Sequence, residues 1–283
     1  MKVLITGGAG FIGTNLAKYL IKKKHSVTSI DDYSTGSPDN HVDGVIYKTE
    51  NIINITSPHI GKKFDIIFHL AALARIQPSF ENPSETFEAN VIGTQKVLEF
   101  ADMIGAKVIY AGSSSKWHDP YQSPYAAFKF MGETLCKMYK KTFSTDVQIA
   151  RFYNVYGPNE IIDGDYSAVI GKWRNLIANN KPITIYGNGE QRRDFTHVDD
   201  IVDALYKIAT TDYVHEDAWE LGTGINYSIN ELALIFKDKF NCGVEYLPPV
   251  PGDYAKTLRE NDSALEILNW EPKDKLMKYI FSL

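Results

Sequence analysis

Apolar residues in this chain fall into short unbroken runs, separated by stretches that repeat at the helical period. KVLIT (2–6) is continuous enough for a buried strand, and FIGTNLAKYLIKKK (11–24) carries its apolar positions at helical spacing. SVTSID (26–31) reads as a second strand and FDIIFHLAA (64–72) as a third. A helix is predicted from about Ser84 to Ile104, then a strand KVIYAGSS (107–114) and a long helix YAAFKFMGETLCKMYKKTF (125–143). DVQIARFYNVYG (146–157) reads as a strand running into a loop. Strands that are apolar without alternation are covered on both faces. Alternating with helices, they predict an α/β chain with a doubly wound parallel sheet.

After Gly157 the texture changes, and loops rich in Gly, Pro, Asn and aromatic residues lengthen. HVDDIVDALYKIAT (197–210) reads as a helix able to return to the sheet and AWELGTG (218–224) as another strand. The rest is predicted as two short helices around a proline-rich hinge, LPPVPGDY (247–254). The expected division is a first domain over 1–153, with 195–224 returning to it. A smaller, partly interleaved C-terminal domain would comprise 154–194 and 225–283.

Composition narrows the class. The 283 residues are 44% hydrophobic and 23% charged, as in a globular chain with a large core. A formal net charge of −5 supplies no global basic field for nucleic acid. The longest apolar stretch, around IIFHLAALA, carries His69 and falls far short of a membrane span. Two cysteines, Cys136 and Cys242, make a disulfide framework unexpected and fit a reducing, cytoplasmic setting. No metal is implied.

The chemistry begins at TGGAGFIG (6–13). Gly8, Gly10 and Gly13 satisfy G-x-G-x-x-G, and Gly7, Gly10 and Gly13 give a glycine every third residue. The loop follows a strand and opens a helix with Phe11 and Ile12, which is the context a Rossmann-type dinucleotide site requires. Absent side chains let a pyrophosphate approach the helix N-terminus. Asp31 ends the second strand where an acid would bond the adenosine ribose hydroxyls, with Asp32 adjacent. A carboxylate there repels a 2′-phosphate, so NAD is expected rather than NADP. In SPYAAFK (123–129), Ser123 and Pro124 stand as helix cap and first-turn proline, and Tyr125 and Lys129 share one helix face. His69 alone reads as a packed core histidine.

Together, TGGAGFIG (6–13), DDYSTG (31–36), HLAA (69–72), NVIGT (90–94), GSSS (112–115), YAAFK (125–129), RFYNVYGPN (151–159), GEQRRDFTHVDD (189–200) and LNWEP (268–272) resemble, in order and nearly end to end, the extended short-chain dehydrogenase/reductase family in its nucleotide-sugar epimerase and dehydratase branch. The resemblance implies an NAD-dependent nucleotide-sugar epimerase, most simply a UDP-hexose 4-epimerase with a transient 4-keto intermediate. Tyr125 would be the general base, Lys129 its cationic partner and ribose holder, and Ser113 the hydroxyl partner, with Ser114 one residue away. Dehydratases of the family carry an Asp-Glu pair where this chain has Ser114 and Ser115, which favours epimerisation over elimination. Decarboxylation, reduction, 4,6-dehydration and a catalytically silent NAD-binding regulator are the alternatives.

The same resemblance places Ala71 and Ala72 beside the nicotinamide ribose and Asn51 near adenine. It assigns Arg193 and Asn154 to the diphosphate of a UDP-sugar or related nucleotide sugar, and sets Tyr186 against the base. It also implies a homodimer through a helix pair that includes the Tyr125–Lys129 helix. Two departures stand out. Val250 replaces a frequent arginine, so one phosphate contact is expected either to be missing or to be supplied by Arg259. Only eleven residues, 114–124, link the serines to Tyr125, so Trp117 and His118 are expected either to fill the sugar pocket or to pack against the body and leave it open.

Overall fold

The computed structural model describes residues 1–56 and 58–283. Its centre is a seven-stranded parallel sheet. The order across the sheet is Trp219–Leu221, Val147–Phe152, Lys107–Ser113, Ile66–His69, Lys2–Thr6, Ser26–Asp31 and Val45–Thr49. The chain starts in the interior at Lys2–Thr6, winds to one edge, then returns to wind to the other. The reversal lies between Lys2–Thr6 and Ile66–His69, where open α/β sheets bind ligands at the carboxyl ends of their strands.

Val3, Ile5, Phe68 and Ile109 face one helix layer, formed by Phe11–Lys22 and Val198–Thr210. Leu4, Ile30, Ile67 and Val108 face the other, with Gly93–Ile104 and Pro124–Thr142. Each such side chain contributes about 1.5–3 kcal/mol of burial. A third core gathers Trp173, Ile183, Ile185, Leu232, Phe236 and Ile280.

Several elements differ from the sequence expectation. The strand Val45–Thr49 was unforeseen; it lies at the sheet edge and is half exposed, so it lacks a continuous apolar run. The helix expected from Ser84 is broken into Pro83–Phe87, a wide π-type turn at Glu88–Ile92 and Gly93–Ile104. The buried Asn90 side chain accepts from Leu73 N at 2.9 Å and donates to Leu73 O at 2.9 Å, drawing this turn to the loop after Ile66–His69. A helix, Val169–Ala178, and a parallel strand pair, Ile183–Tyr186 with Val244–Leu247, were also missed. In place of two short helices around the hinge there are three: Ile229–Phe240, Ser263–Leu268 and Leu276–Ser282.

One polar cluster binds the long helix to the sheet edge. Arg151 is fully buried, and its guanidinium reaches Glu133, Asp217 and Glu220, each at 2.8 Å. Burial works to raise the Asp217 carboxyl, but hydrogen bonds from Arg151 and Lys137 outweigh it and hold the group at about 2.

Candidate active site

A cavity of about 930 Å³ runs across the carboxyl ends of the parallel strands and on to the third core. At its floor, Gly7 has φ +75°, and a Cβ there would lie 2.8 Å from Ala71 N. A Cβ on Gly13 would sit 2.1 Å from Gly7 O. Only glycine allows the chain to close this tightly before the Phe11–Lys22 helix. Gly7, Gly10 and Gly13 line the cavity with Phe11 and Ile12. Gly8 instead packs on Ser29, so the every-third-glycine register is the one that faces the cavity. The uncapped helix N-terminus beyond a surface without side chains suits a pyrophosphate.

Asp31 and Asp32 stand at one end of the cavity. Asp31 is buried and accepts from Ala9 N at 2.8 Å and Tyr33 N at 2.9 Å, which fixes its carboxylate. Burial raises its pKa, and those two backbone hydrogen bonds oppose the rise. Asn51 also lines the cavity; it donates to Asp32 at 3.0 Å and caps a short 3₁₀ turn. Ala71 and Ala72 lie in the wall above the glycines. His69 is wholly packed, with Thr6 Oγ1 at 2.8 Å and Thr94 Oγ1 at 3.0 Å. Burial pushes its pKa down to about 3 and keeps it neutral.

The Pro124–Thr142 helix begins where its cap dictates, with Ser123 Oγ accepting from Ala126 N at 3.1 Å. That start brings the Tyr125 hydroxyl to 3.4 Å from Ser113 Oγ. Lys129, one turn on, is buried and donates to Ala111 O at 2.7 Å. Burial raises the Tyr125 pKa, while the Ser113 hydrogen bond and then the Arg75 charge lower it. Burial lowers Lys129 to about 8 from the ordinary 10.5. Between those values the unfolded chain binds more protons than the native one. The Lys129 contribution to stability is therefore complete above pH 10.5 and lost as pH falls through about 8. Lys129→Met is expected to abolish this slope in the cofactor-free protein, checked by urea unfolding at about pH 7.5, 9 and 10.

On the far side, Tyr186 and Arg193 line the cavity. Tyr186 is joined by Lys172, whose Nζ lies 3.0 Å from its hydroxyl. Arg193 is buried and paired with Asp253. Asn154 lines the cavity too, but its amide donates to Asp194 O at 3.2 Å and Thr257 Oγ1 at 2.8 Å. Both its N–H donors are thus taken, so donation to a phosphate would require these bonds to break. Arg259 does not reach the cavity; it is buried against Gly222 O, Asn261 O and Asp262. In the short 114–124 segment, His118 stacks on Tyr254 with centroids 3.9 Å apart, and Trp117 is 60% exposed. Neither lines the cavity, whereas Ser114 and Ser115 at the start of the segment do; His118 packs against the body and Trp117 faces outward.

Sequence reasoning missed Arg75 and Lys172, both in the cavity wall. The signal for Arg75 was its place in the loop after the strand, three residues beyond HLAA (69–72). Lys172 was hidden because its helix went unread.

A doubly wound parallel sheet with a glycine cradle at its switch point and an acid at the end of the second strand defines a dinucleotide-binding α/β protein. The chain belongs to the NAD dependent epimerase/dehydratase family, whose model matches residues 3–222. Its cofactor is NAD, and the glycine cradle fits a dinucleotide pyrophosphate. The chain is 30% identical over 297 residues to UDP-glucuronic acid decarboxylase 2 of Arabidopsis thaliana, covering 98% of this chain and 66% of that protein. It thus spans about two thirds of that relative's length. It is 29% identical to the UDP-glucose 4-epimerase of Mycolicibacterium smegmatis, covering 99% and 96% of the two chains. Among solved structures, the UDP-glucuronic acid 4-epimerase of Bacillus cereus, in complex with UDP-glucuronic acid and NAD, superposes with a TM-score of 0.91 at 26% identity, covering 99% of this chain and 96% of that one.

Asp31 sets the cofactor prediction. Asp31→Ser is expected to narrow the preference for NAD over NADP by tenfold or more (about 1.4 kcal/mol), read as the ratio of the two dissociation constants by calorimetry. Equal constants for the unaltered protein would remove Asp31 from the ribose site.

Proposed function

We propose that this chain is an NAD-dependent nucleotide-sugar epimerase, acting at C4 of a UDP-hexose. The observation that carries the reading is the Tyr125 phenol held 3.4 Å from Ser113 Oγ, one helical turn from the buried Lys129, in a wall that reads Ser114 and Ser115 where elimination would need an acid and a base. The NAD supplies a reversible hydride acceptor. Ser113 positions the sugar hydroxyl and Tyr125 takes its proton, then returns it when the sugar is reduced again. Burial keeps the Tyr125 phenol neutral in the unloaded site, so it acts as the base only once it has given its own proton to solvent and stands as the phenolate. The Lys129 cation, on the same helix face, favours the phenolate.

Arg193 is the residue we assign to the diphosphate, since a guanidinium forks to two oxygens; a bound diphosphate would have to compete with Asp253. Tyr186 with Lys172 would flank the base. Asn51 would lie at the adenine end, and Ala71 and Ala72 beside the nicotinamide ribose. Asn154 contributes by shape. A homodimer across the Pro124–Thr142 helix is supported by the exposed Phe130, Met131 and Met138 along it. Both cysteines are free, in keeping with a cytoplasmic setting, and no described helix is long and apolar enough to cross a membrane.

The test is incubation of the NAD-loaded protein with a panel of UDP-, GDP-, CDP- and dTDP-sugars and analysis of products by NMR. A C4 epimer without net redox change supports the reading; a decarboxylated or dehydrated product, or none from any sugar, overturns it.

A further inference from the structure

Among the described residues, the cavity wall contains one guanidinium that forms no ion pair with a carboxylate. Arg75 follows the strand Ile66–His69 and lines the cavity together with Tyr125 and Ser113. Its Nε donates to Tyr166 O at 2.8 Å and its Nη1 to Ala74 O at 2.8 Å. Among the described residues no acidic side chain pairs with it, and its Nη2 makes no hydrogen bond to the protein. Nearby Glu160 accepts through Oε1 from Arg174 at 3.0 Å and from the Tyr279 hydroxyl at 3.2 Å, and its buried Oε2 bears on Arg75 through charge alone, without a hydrogen bond or ion pair between them. The other cavity cations are occupied differently: Lys129 by Ala111 O, Lys172 by Tyr186 and Arg193 by Asp253.

The Arg75 side chain is also held in place. Its loop is fixed at Leu73, which donates to and accepts from the buried Asn90 side chain, and Gln77 donates to Pro251 O at 2.8 Å. The bond to Tyr166 O then sets the guanidinium across the cavity. A partly buried cation with unused N–H donors is costly unless a ligand completes its shell. Its strongest complement is a planar carboxylate accepting from the fork. It immediately precedes the helix Ile76–Glu81, whose Ser79 Oγ accepts from Tyr125 N at 3.1 Å, and its charge also bears on the Tyr125 phenol, so it stands near the place where the reacting sugar carbon must lie.

We propose that Arg75 is a specificity-determining residue that binds an anionic substituent of the reacting sugar, so that the preferred substrate is a nucleoside-diphosphate uronate carrying a carboxylate at C6. This deepens the function proposed above and rests on its placement of the sugar at Tyr125. The carboxylate on C5 is one carbon from the reacting C4, and a residue beside Tyr125 is placed to meet it. Arg193 is left to the diphosphate.

The experiment is calorimetry on the NAD-loaded protein with UDP-glucuronate, UDP-glucose and UDP. The expected result is tighter binding of UDP-glucuronate than of UDP-glucose by about tenfold or more, the scale of a hydrogen bond to a charged group. Arg75→Gln should collapse that ratio towards one, and Arg75→Lys should keep part of it; retained NAD binding confirms that both variants fold. Equal affinities for the two sugars in the unaltered protein overturn the proposal. So does an Arg75→Gln loss that is the same for both sugars and for UDP, which would assign Arg75 to the diphosphate. A loss of turnover equal for both sugars, with a shifted pH profile and an unchanged binding ratio, also overturns it and makes Arg75 a positioning residue for Tyr125. Selective uronate binding with no C4 epimer formed from any sugar supports the Arg75 site and overturns the epimerase reading instead.

Discussion

Tyr125→Phe is expected to lower turnover by about 10²–10⁴-fold, the usual worth of a positioned proton-transfer group, while leaving NAD binding nearly unchanged. The ring is partly buried at the helix start and keeps its packing when only the hydroxyl is removed. What disappears is the oxygen 3.4 Å from Ser113 Oγ. Ser113 keeps its bond from Ser115 N at 3.2 Å, so the loop geometry survives. Initial rates by NMR, with the NAD dissociation constant measured in parallel, separate the two effects. A variant that keeps the full rate would make the Tyr125–Lys129 pair structural.

Arg151→Met is expected to be the most damaging single change to stability. Glu133 and Glu220 have side chains 3% and 2% exposed, and both depend on this guanidinium at 2.8 Å. Removing one partner of a buried ion pair typically costs about 3–5 kcal/mol, and here two buried carboxylates are stranded together. Against a typical total of about 5–15 kcal/mol, the variant should unfold at far lower urea, or fail to fold. Adding Glu133→Gln and Glu220→Gln should recover much of the loss, because neutral amides tolerate burial better. Asp217 gives a second readout. In the unaltered protein its contribution is complete above about pH 3.8 and is lost as pH falls through about 2. Without Arg151 that acid-side loss should shrink. An unchanged urea midpoint at pH 7 would show that the cluster is solvated and carries little.

Much of the fold was legible because it is encoded in short windows. Buried parallel strands need unbroken apolar runs, so Lys2–Thr6, Ile66–His69 and Lys107–Ser113 declared themselves. Ser123 and Pro124 fixed a helix start through local hydrogen bonding and a preset φ. The edge strand Val45–Thr49, half exposed, had no such run to show.

At the site, the sequence by itself determined what backbone sterics and helical period determine. No residue but glycine fits at 7 and 13, where a Cβ would meet backbone at 2.8 and 2.1 Å, and residues 125 and 129 must share a face of one helix. The tertiary structure alone decided how polar side chains spend their donors, because that depends on partners far away along the chain. It engaged Asn154 with Thr257, 103 residues on, and drew Arg259 to Gly222 O, outside the cavity. It also stacked His118 on Tyr254 and, among the described residues, left Arg75 facing the cavity without an ion pair to a carboxylate. A hydrogen-bonding group has many possible partners in a sequence, and only the packed fold chooses among them.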